Sequence, residues 1–370
     1  MGTKKRNSSI ELLKLISIIL IVLSHAAASA PIATKNGGDL VLLNSLKITI
    51  TNLGQIGNCI FFVSSVWFLL ESYNVKINKA IKMIVESFCT SVFCLAIVLL
   101  AGYNIPLKEI VFSFFPLTFG FYWFISCYIL IYLIHPYINY VIEKLSQFQL
   151  FCIVSSFVLL YSVYVLILGG DYFYYNELIG FLSLYFITAY FKKYSNNKLS
   201  SKKLCILILL PSLLWIIGSV FLAILAANVA SFSNKSLWLN KFINPCFVAI
   251  ALGLVSFANK RKFYLASINY LSSLTLIVFM LHNNKLVRTI VEIDFYNKIF
   301  LRDGFEFWIP AVLMYFGISI ILSFGLSFIL GKIFNLYLFN RFIEYIALQL
   351  RTFFLKTFYI FKIFWFNYIW

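Results

Sequence analysis

The stretch IELLKLISIILIVLSHAAASA, residues 10–30, decides the fold class of this chain. It is a nearly continuous apolar run of the length that an α-helix needs to cross a bilayer, about 20 residues at a rise of about 1.5 Å each. Its ionisable side chains are Glu11, Lys14 and His25. We therefore predict that this stretch is an uncleaved first transmembrane helix with polar groups inside it.

The composition of the whole chain is typical of a membrane protein. Of its 370 residues, 62% are hydrophobic and 12% are charged, whereas soluble domains have about 45–50% apolar and about 25% charged residues. The mean hydropathy is +0.92. These values exclude a soluble enzyme, a nucleic-acid-binding module, a disordered chain and a secreted disulfide scaffold. Long apolar runs also exclude an outer-membrane barrel, whose strands alternate polar and apolar residues.

The chain contains ten apolar runs that are candidates for membrane spans. Their approximate limits are 10–30, 53–70, 83–103, 117–138, 149–169, 174–191, 204–227, 243–258, 268–287 and 308–331. No linker or repeat separates them. We predict an all-α polytopic bundle of about ten transmembrane helices, which forms one membrane domain over residues 1–334 because the spans have to pack together.

The distribution of Lys and Arg predicts the orientation of these spans. With the N-terminus in the cytoplasm, twenty Lys and Arg residues fall on the cytoplasmic side, nine fall outside, and Lys14 lies within the first span. Cytoplasmic loops carry an excess of these residues. We therefore predict that both termini are cytoplasmic. The net charge of +17 is then an orientation signal rather than a site for nucleic acid.

Residues 335–370 form a separate tail that is basic and rich in aromatic residues. In RTFFLKTFYIFKIFWFNYIW, the basic residues Arg351, Lys356 and Lys362 alternate with large apolar side chains. This pattern favours an interfacial helix that is attracted to anionic membrane lipid. An eleventh span is the alternative.

The polar groups of the first span are candidates for catalysis, because ionisable residues inside a membrane are costly and usually functional. Lys14 and His25 are eleven residues apart, close to three helical turns, so they share one face about 16 Å apart along the axis. Glu11 lies one turn before Lys14 and can pair with it. We predict His25 as a general base, with Lys14 and Glu11 in support. The alternative is that Glu11 and Lys14 extend to the headgroups and that His25 only packs.

A second polar group follows the apolar part of the ninth span, in LIVFMLHNNKLVR. His282, Asn283, Asn284 and Arg288 fall near the outer end of this span and predict a polar pocket that binds substrate. The alternative is an interfacial cluster that marks the end of the span. His135, beside Pro136, is interpreted as structural.

The sequence shows no sign of a metal or nucleotide-triphosphate site. None of the seven cysteines forms a CxxC pair, so we predict no metal. There is no Walker A motif, which argues against an ATP-driven pump.

Four segments, in order along residues 6–330, resemble the acyltransferase-3 family of integral-membrane O-acyltransferases. They are RNSSIELLKLISIILIVLSH (6–25), LGQIGNCIFFVSSVWFLLES (53–72), FFPLTFGFYWFISCYILIYLIHPYIN (114–139) and INYLSSLTLIVFMLHNNKLVR (268–288). In the first, the family pattern of Arg, ten residues and His is matched by Lys14 and His25. The chain departs from the family where Lys14 replaces Arg, where Val66 replaces a Gly, and where no Arg-x-x-Arg follows the second span.

The resemblance implies transfer of an acetyl group from cytoplasmic acetyl-CoA to a hydroxyl of a surface polysaccharide (O-antigen, capsule or exopolysaccharide) or its lipid-linked precursor. It implies a bacterial inner-membrane protein. Arg6, Lys79 and Lys82 are then candidates for binding the CoA phosphates, and Trp123, in the fourth-span signature, is a candidate for binding the acceptor. On physical grounds alone, a flippase or exporter of a lipid-linked glycan fits the spans and buried charges equally well. A third alternative is an acyl-modifying enzyme that acts on a membrane lipid or a small molecule.

Overall fold

Apolar runs become helices in lipid because only a helix satisfies the backbone N–H and C=O groups within one segment. The computed structural model describes residues 7–31, 38–168, 176–229, 232, 237–303 and 307–368. Over these ranges the regular structure is helical and contains no β-strand. The predicted all-α fold is therefore confirmed for this part of the chain.

The first half of the chain contains the helices α1 to α7. They are α1 Ser8–Ser29, α2 Gly38–Leu69, α3 Ile77–Leu100, α4 Leu107–Phe114, α5 Trp123–Lys144, α6 Gln147–Phe157 and α7 Tyr164–Leu168. The second half contains α8 to α15. They are α8 Glu177–Tyr190, α9 Ser201–Asn228, α10 Pro245–Lys260, α11 Ala266–Ser273, α12 Thr275–His282, α13 Ile293–Asp303, α14 Trp308–Phe334 and α15 Tyr337–Tyr368. Wider π-helical turns occur at Val158–Val163, Phe191–Ser195 and Val287–Glu292.

Six helices within the described ranges are long and apolar enough to cross a membrane: α1, α2 from Val41, α3, α5, α9 and α14. Three shorter apolar segments accompany them, namely Gln147–Val163, Pro245–Lys260 and Ala266–His282. The protein is thus a multi-pass membrane protein. Ten spans and two cytoplasmic termini stay predictions.

Helix α1 lies inside the bundle, in contact with α2, α10, α11, α12 and α14. It runs antiparallel to α2, and two glycines let the helices approach closely. A Cβ atom at Gly57 would lie 2.7 Å from the Ser17 carbonyl oxygen, and one at Gly54 would lie 2.1 Å from the Ser24 hydroxyl. Because larger residues do not fit at these positions, the two glycines permit the short distance between α1 and α2.

Hydrogen bonds near the two ends of α1 fix its position relative to α11 and α13. The Asn7 side chain caps the helix by accepting from the Ser9 amide at 3.1 Å. The Ser8 hydroxyl lies 2.9 Å from the Asn269 side-chain oxygen and accepts from the Leu265 amide at 2.8 Å. At the other end, the Tyr296 hydroxyl donates to the Ala26 carbonyl at 2.7 Å. These contacts hold the two ends of α1 against α11 and α13.

The tail forms a helix, α15, which follows α14 after a short turn. It packs against α3, and the Phe334 and Phe339 rings contact each other across the turn at a tilt of 35°, with centroids 5.1 Å apart. Within the described residues, α15 is not among the helices that meet the criteria for a span. Its location at the membrane interface stays a prediction.

Candidate functional site

A pair of histidines forms the centre of the site. Nδ1 of His25, on α1, lies 3.2 Å from Nε2 of His282, at the end of α12. The two rings stack with centroids 5.2 Å apart and planes inclined by 28°. His282 is buried and His25 is half-buried. The structure therefore joins two candidate residues that the sequence placed in separate groups.

The hydrogen bonds of this pair assign its tautomers. Nδ1 of His282 lies 3.0 Å from the Val278 carbonyl oxygen, which can only accept. In neutral His282 the proton therefore lies on Nδ1, and Nε2 is an acceptor. Nε2 then accepts from Nδ1–H of His25, which leaves the lone pair of His25 on its own Nε2. In the described part of the chain no hydrogen-bond partner of that Nε2 is found, so it is free to take a proton.

Charged residues adjoin the pair on the side predicted to be outer. Arg288 lies within electrostatic range of both imidazoles. It forms an ion pair with Glu292 at 3.9 Å and donates weakly to the Asn283 side chain at 3.5 Å. Ser29, one turn beyond His25 on α1, interacts with the Glu292 carboxyl. Sequence reasoning found Arg288 but missed Glu292, because the sequence does not indicate that this carboxyl is buried.

A cavity of about 940 Å³ opens at the opposite end of α1, which we predict to be cytoplasmic. Its walls combine four lysines, two carboxylates, four asparagines and several aromatic rings. The charged lining residues are Glu11, Lys14, Glu71, Lys79, Lys192 and Lys262. A space of this size and charge fits a large anionic molecule.

The polar residues of α1 form part of the cavity wall. Lys14 pairs with Glu11 at 3.4 Å, which confirms the pairing that the helical spacing predicts. The second oxygen of the Glu11 carboxylate accepts from the Ser272 hydroxyl at 2.5 Å. Glu11 is buried. It therefore links α1 to α11 and does not extend to the headgroups.

A second ion pair in the cavity was not predicted. Lys192 donates to Glu71 at 2.9 Å and to the Trp67 carbonyl, and its ammonium lies 5.3 Å from the centroid of the Trp67 ring. Glu71 occupies the region after the second span where the family has Arg-x-x-Arg. That departure was the available signal, but the sequence does not show which cation meets Glu71.

A narrow apolar neck leads from the cavity toward the histidines. It encloses about 10 Å³ and is lined by Ile18, Ile21, Asn58, Phe61, Phe124, Leu276 and Phe279. Phe61, Phe124 and Leu276 also line the cavity. At the far end, the Phe279 ring packs edge-on against His282 with centroids 5.8 Å apart. A space this small holds about one water molecule, so the neck separates the histidine pair from the water of the cavity.

Some predicted site residues lie elsewhere. Trp123 packs edge-on against Phe181 and Phe242 within the apolar core, and none of its ring contacts is to a histidine. Lys82 donates to Asn335 at 3.1 Å and does not line the cavity, whereas Lys79 does. Arg6 lies outside the described residues.

Asn284 has a structural explanation. It is fully buried, donates to the Tyr122 hydroxyl at 3.1 Å and accepts from the Leu286 amide at 3.0 Å. His135 is also fully buried, and its Nδ1 lies 2.6 Å from the Tyr132 carbonyl oxygen. Among the described residues, no group of three or more His, Cys, Asp or Glu side chains could hold a metal ion.

One comparison with known proteins gives a match. A family model described as an acyltransferase domain, Acyl_transf_3, matches residues 7–332, which include the cavity, the neck and both histidines. No curated protein and no solved structure matches the chain.

Proposed function

The chain belongs to the acyltransferase-3 family, and we propose that it transfers an acetyl group from cytoplasmic acetyl-CoA to a hydroxyl of a cell-surface polysaccharide or its lipid-linked precursor. We propose the bacterial inner membrane as its location. The observation that carries the proposal is the continuous arrangement of cavity, neck and histidine pair along α1.

The cavity supports binding of the donor. Lys79, Lys192 and Lys262 place ammonium groups on its wall, where they can attract phosphate groups. Lys14, which is paired with Glu11 as Lys192 is with Glu71, lines the same cavity one turn before Ile18 of the neck. The apolar lining of the neck suits an uncharged thioester, and its side chains have to move apart for the acetyl group to pass, because the closed neck holds about one water molecule. Because it excludes water, it also protects the thioester from hydrolysis.

We propose His25 as the general base. Its Nε2 takes the proton of the acceptor hydroxyl while the hydroxyl oxygen attacks the thioester carbonyl carbon. The carbon–sulfur bond breaks, and the CoA thiolate takes the proton from the His25 imidazolium. The products are an acetyl ester and CoA. Throughout the step, His282 accepts from Nδ1–H of His25 and holds the ring in one orientation.

A covalent route through the same atom is the competing mechanism. Nε2 of His25 would attack the thioester, release CoA and hold the acetyl group until the acceptor hydroxyl takes it. Incubation of purified protein with radiolabelled acetyl-CoA in the absence of acceptor distinguishes the two routes. Acid-labile label on the wild-type protein, absent from H25A, supports the covalent route, and unlabelled protein supports direct transfer.

The first experiment measures O-acetyl groups on the surface polysaccharide by proton NMR. The strains are the wild type, a deletion of this gene, and the deletion complemented with wild type or H25A. We expect the acetyl signals to disappear in the deletion and in H25A while the polymer yield is unchanged and H25A is present in the membrane. Normal acetylation with less surface polymer would instead indicate an exporter.

A further inference from the structure

The ion pair between Arg288 and Glu292 has unused hydrogen-bonding capacity beside the histidine pair. Glu292 is 1% exposed, yet its Oε1 has no hydrogen-bond partner. The Arg288 Nε group is likewise buried without a partner. The two side chains approach only to 3.9 Å, too far for a direct hydrogen bond. One unused acceptor and one unused donor therefore lie next to each other.

Buried polar groups in folded proteins nearly always have partners, so such a pair indicates a ligand. The ligand has to donate to Oε1 of Glu292 and accept from Nε of Arg288. A hydroxyl group does both. Two neighbouring hydroxyls of one sugar ring would satisfy both side chains, and the next hydroxyl on the same ring stays available for reaction.

The position of this pair agrees with a role in acceptor binding. Both residues lie in the π-helical turn Val287–Glu292, and π-helical turns are frequent at functional sites. Ser29 interacts with Glu292 and lies one turn from His25 on the same helix. Arg288 is within electrostatic range of both histidines, and its side chain is 32% exposed. It follows His282 in the chain, whereas the neck residues Leu276 and Phe279 precede His282, which favours an approach of the acceptor from the side opposite the neck.

We infer that Arg288 and Glu292 form the acceptor site, and that it binds a vicinal diol of a sugar so that the adjacent hydroxyl faces Nε2 of His25. The inference rests on the proposed acetyl transfer. It adds to that proposal the residue Glu292, the chemical class of the group that is recognised, and the side from which it comes.

The test measures acetyl transfer by purified protein in nanodiscs, with de-O-acetylated surface polysaccharide of the host strain as the acceptor. Glu292→Gln keeps the shape of the side chain and removes its charge. We expect the KM for polysaccharide to rise about tenfold, the loss typical of one hydrogen bond to a charged group. The KM for acetyl-CoA should not change. Arg288→Met should also raise only the KM for polysaccharide.

The matched control is Glu86→Gln. Glu86 is also buried and also pairs with a cation four residues away, at 3.8 Å from Lys82, but it lies on α3 away from the histidines. We expect both KM values of this variant to equal those of the wild type. Melting temperatures of all variants identify any that fail to fold.

The outcomes separate this inference from the proposed function. Transfer by Glu292→Gln with an unchanged KM for polysaccharide, or an equal rise in the KM values of both substrates, would overturn the acceptor site alone. If the wild-type protein transfers no acetyl group to the polysaccharide, the proposed function is wrong and the acceptor site is wrong with it.

Discussion

Nδ1 of His25 lies 3.2 Å from Nε2 of His282, although 257 residues separate them in the chain. The Val278 carbonyl oxygen accepts from Nδ1 of His282, which places the His282 proton on Nδ1. Nε2 of His282 is therefore the acceptor, and His25 is the donor, in the hydrogen bond between the two rings. His282 is thus a positioning residue for His25 in the proposed mechanism. In this role, His282 is the third group that orients a catalytic base through a hydrogen bond.

The first prediction concerns graded loss of activity at position 282. His282→Ala leaves His25 free to adopt either tautomer, and we expect a loss of acetyl transfer on the order of 10²-fold, at the lower end of what general-base catalysis contributes. In His282→Gln, the side-chain oxygen can accept from His25 in place of Nε2, so this variant should retain more activity. Steady-state kinetics check the order wild type, Gln, Ala. Equal losses in both variants would contradict a role in orientation.

The second prediction concerns Lys14. Lys14→Met removes the cation that pairs with the buried Glu11 carboxylate. We expect the free energy of unfolding to fall by about 3 kcal/mol, the lower end of the loss when one partner of a buried ion pair is removed. The KM for acetyl-CoA should rise because the cavity loses a positive charge. Lys14→Arg should behave like the wild type. Kinetics and melting temperature measure both effects, and wild-type values for Lys14→Met would contradict the prediction.

The third prediction concerns the contact between α1 and α2. Gly57→Ala places a methyl group against the Ser17 backbone, which cannot move aside easily, and we expect destabilisation of about 1–3 kcal/mol. Gly317→Ala, on α14, is the control because nothing lies within 4 Å of its new Cβ atom. Thermal unfolding in detergent compares the two. Equal stability of Gly57→Ala and Gly317→Ala would show that the close approach is unimportant.

The fourth prediction concerns the acyl group. Leu276 lines both the cavity and the neck, so Leu276→Ala widens the passage to the histidines. We expect the preference for acetyl-CoA over butyryl-CoA to fall about tenfold, because each methylene in an apolar pocket changes specificity by about that factor or more. Leu281→Ala, a buried residue of α12 that does not line the neck, should keep the wild-type preference. Unchanged selectivity in Leu276→Ala would exclude the neck as the acyl path.

The fifth prediction concerns topology. With ten spans and an interfacial tail, the C-terminus is cytoplasmic. A green fluorescent protein fused after Trp370 should fluoresce, whereas alkaline phosphatase fused there should be inactive. The opposite pattern would make α15 an eleventh span. Fusions after Asn335 separate the position of the tail from that of the membrane domain.

Helical periodicity determined several features of the site. Glu11 and Lys14 are one turn apart, so their pairing followed from the sequence. The eleven-residue spacing of Lys14 and His25 likewise gave one polar face, because a helix repeats about every 3.6 residues. His282 was found as a polar residue at the end of an apolar run. The family was also predicted and is confirmed by the match over residues 7–332.

Contacts between distant segments could not be predicted in this way. The sequence did not indicate that Ser272 meets Glu11, that Lys192 meets Glu71, or that Trp123 packs among Phe181 and Phe242. Each of these contacts depends on how helices that are far apart in the chain lie side by side. The pattern of one helix states which face is polar, but not which helix that face meets.

By itself, the sequence determined that the chain is an all-helical membrane protein of the acyltransferase-3 family with His25 and Lys14 on one face of its first helix. The physical reason is that membrane insertion and helical periodicity depend on local composition and spacing. Only the tertiary structure decided that His282 lies within hydrogen-bond distance of His25, that the neck lies between the cavity and the pair, and that Arg288 and Glu292 adjoin it. These relationships depend on contacts between segments that are far apart in the chain, such as the close approach of α1 to α2 and the hydrogen bonds between α1 and α11, which local composition and spacing do not specify.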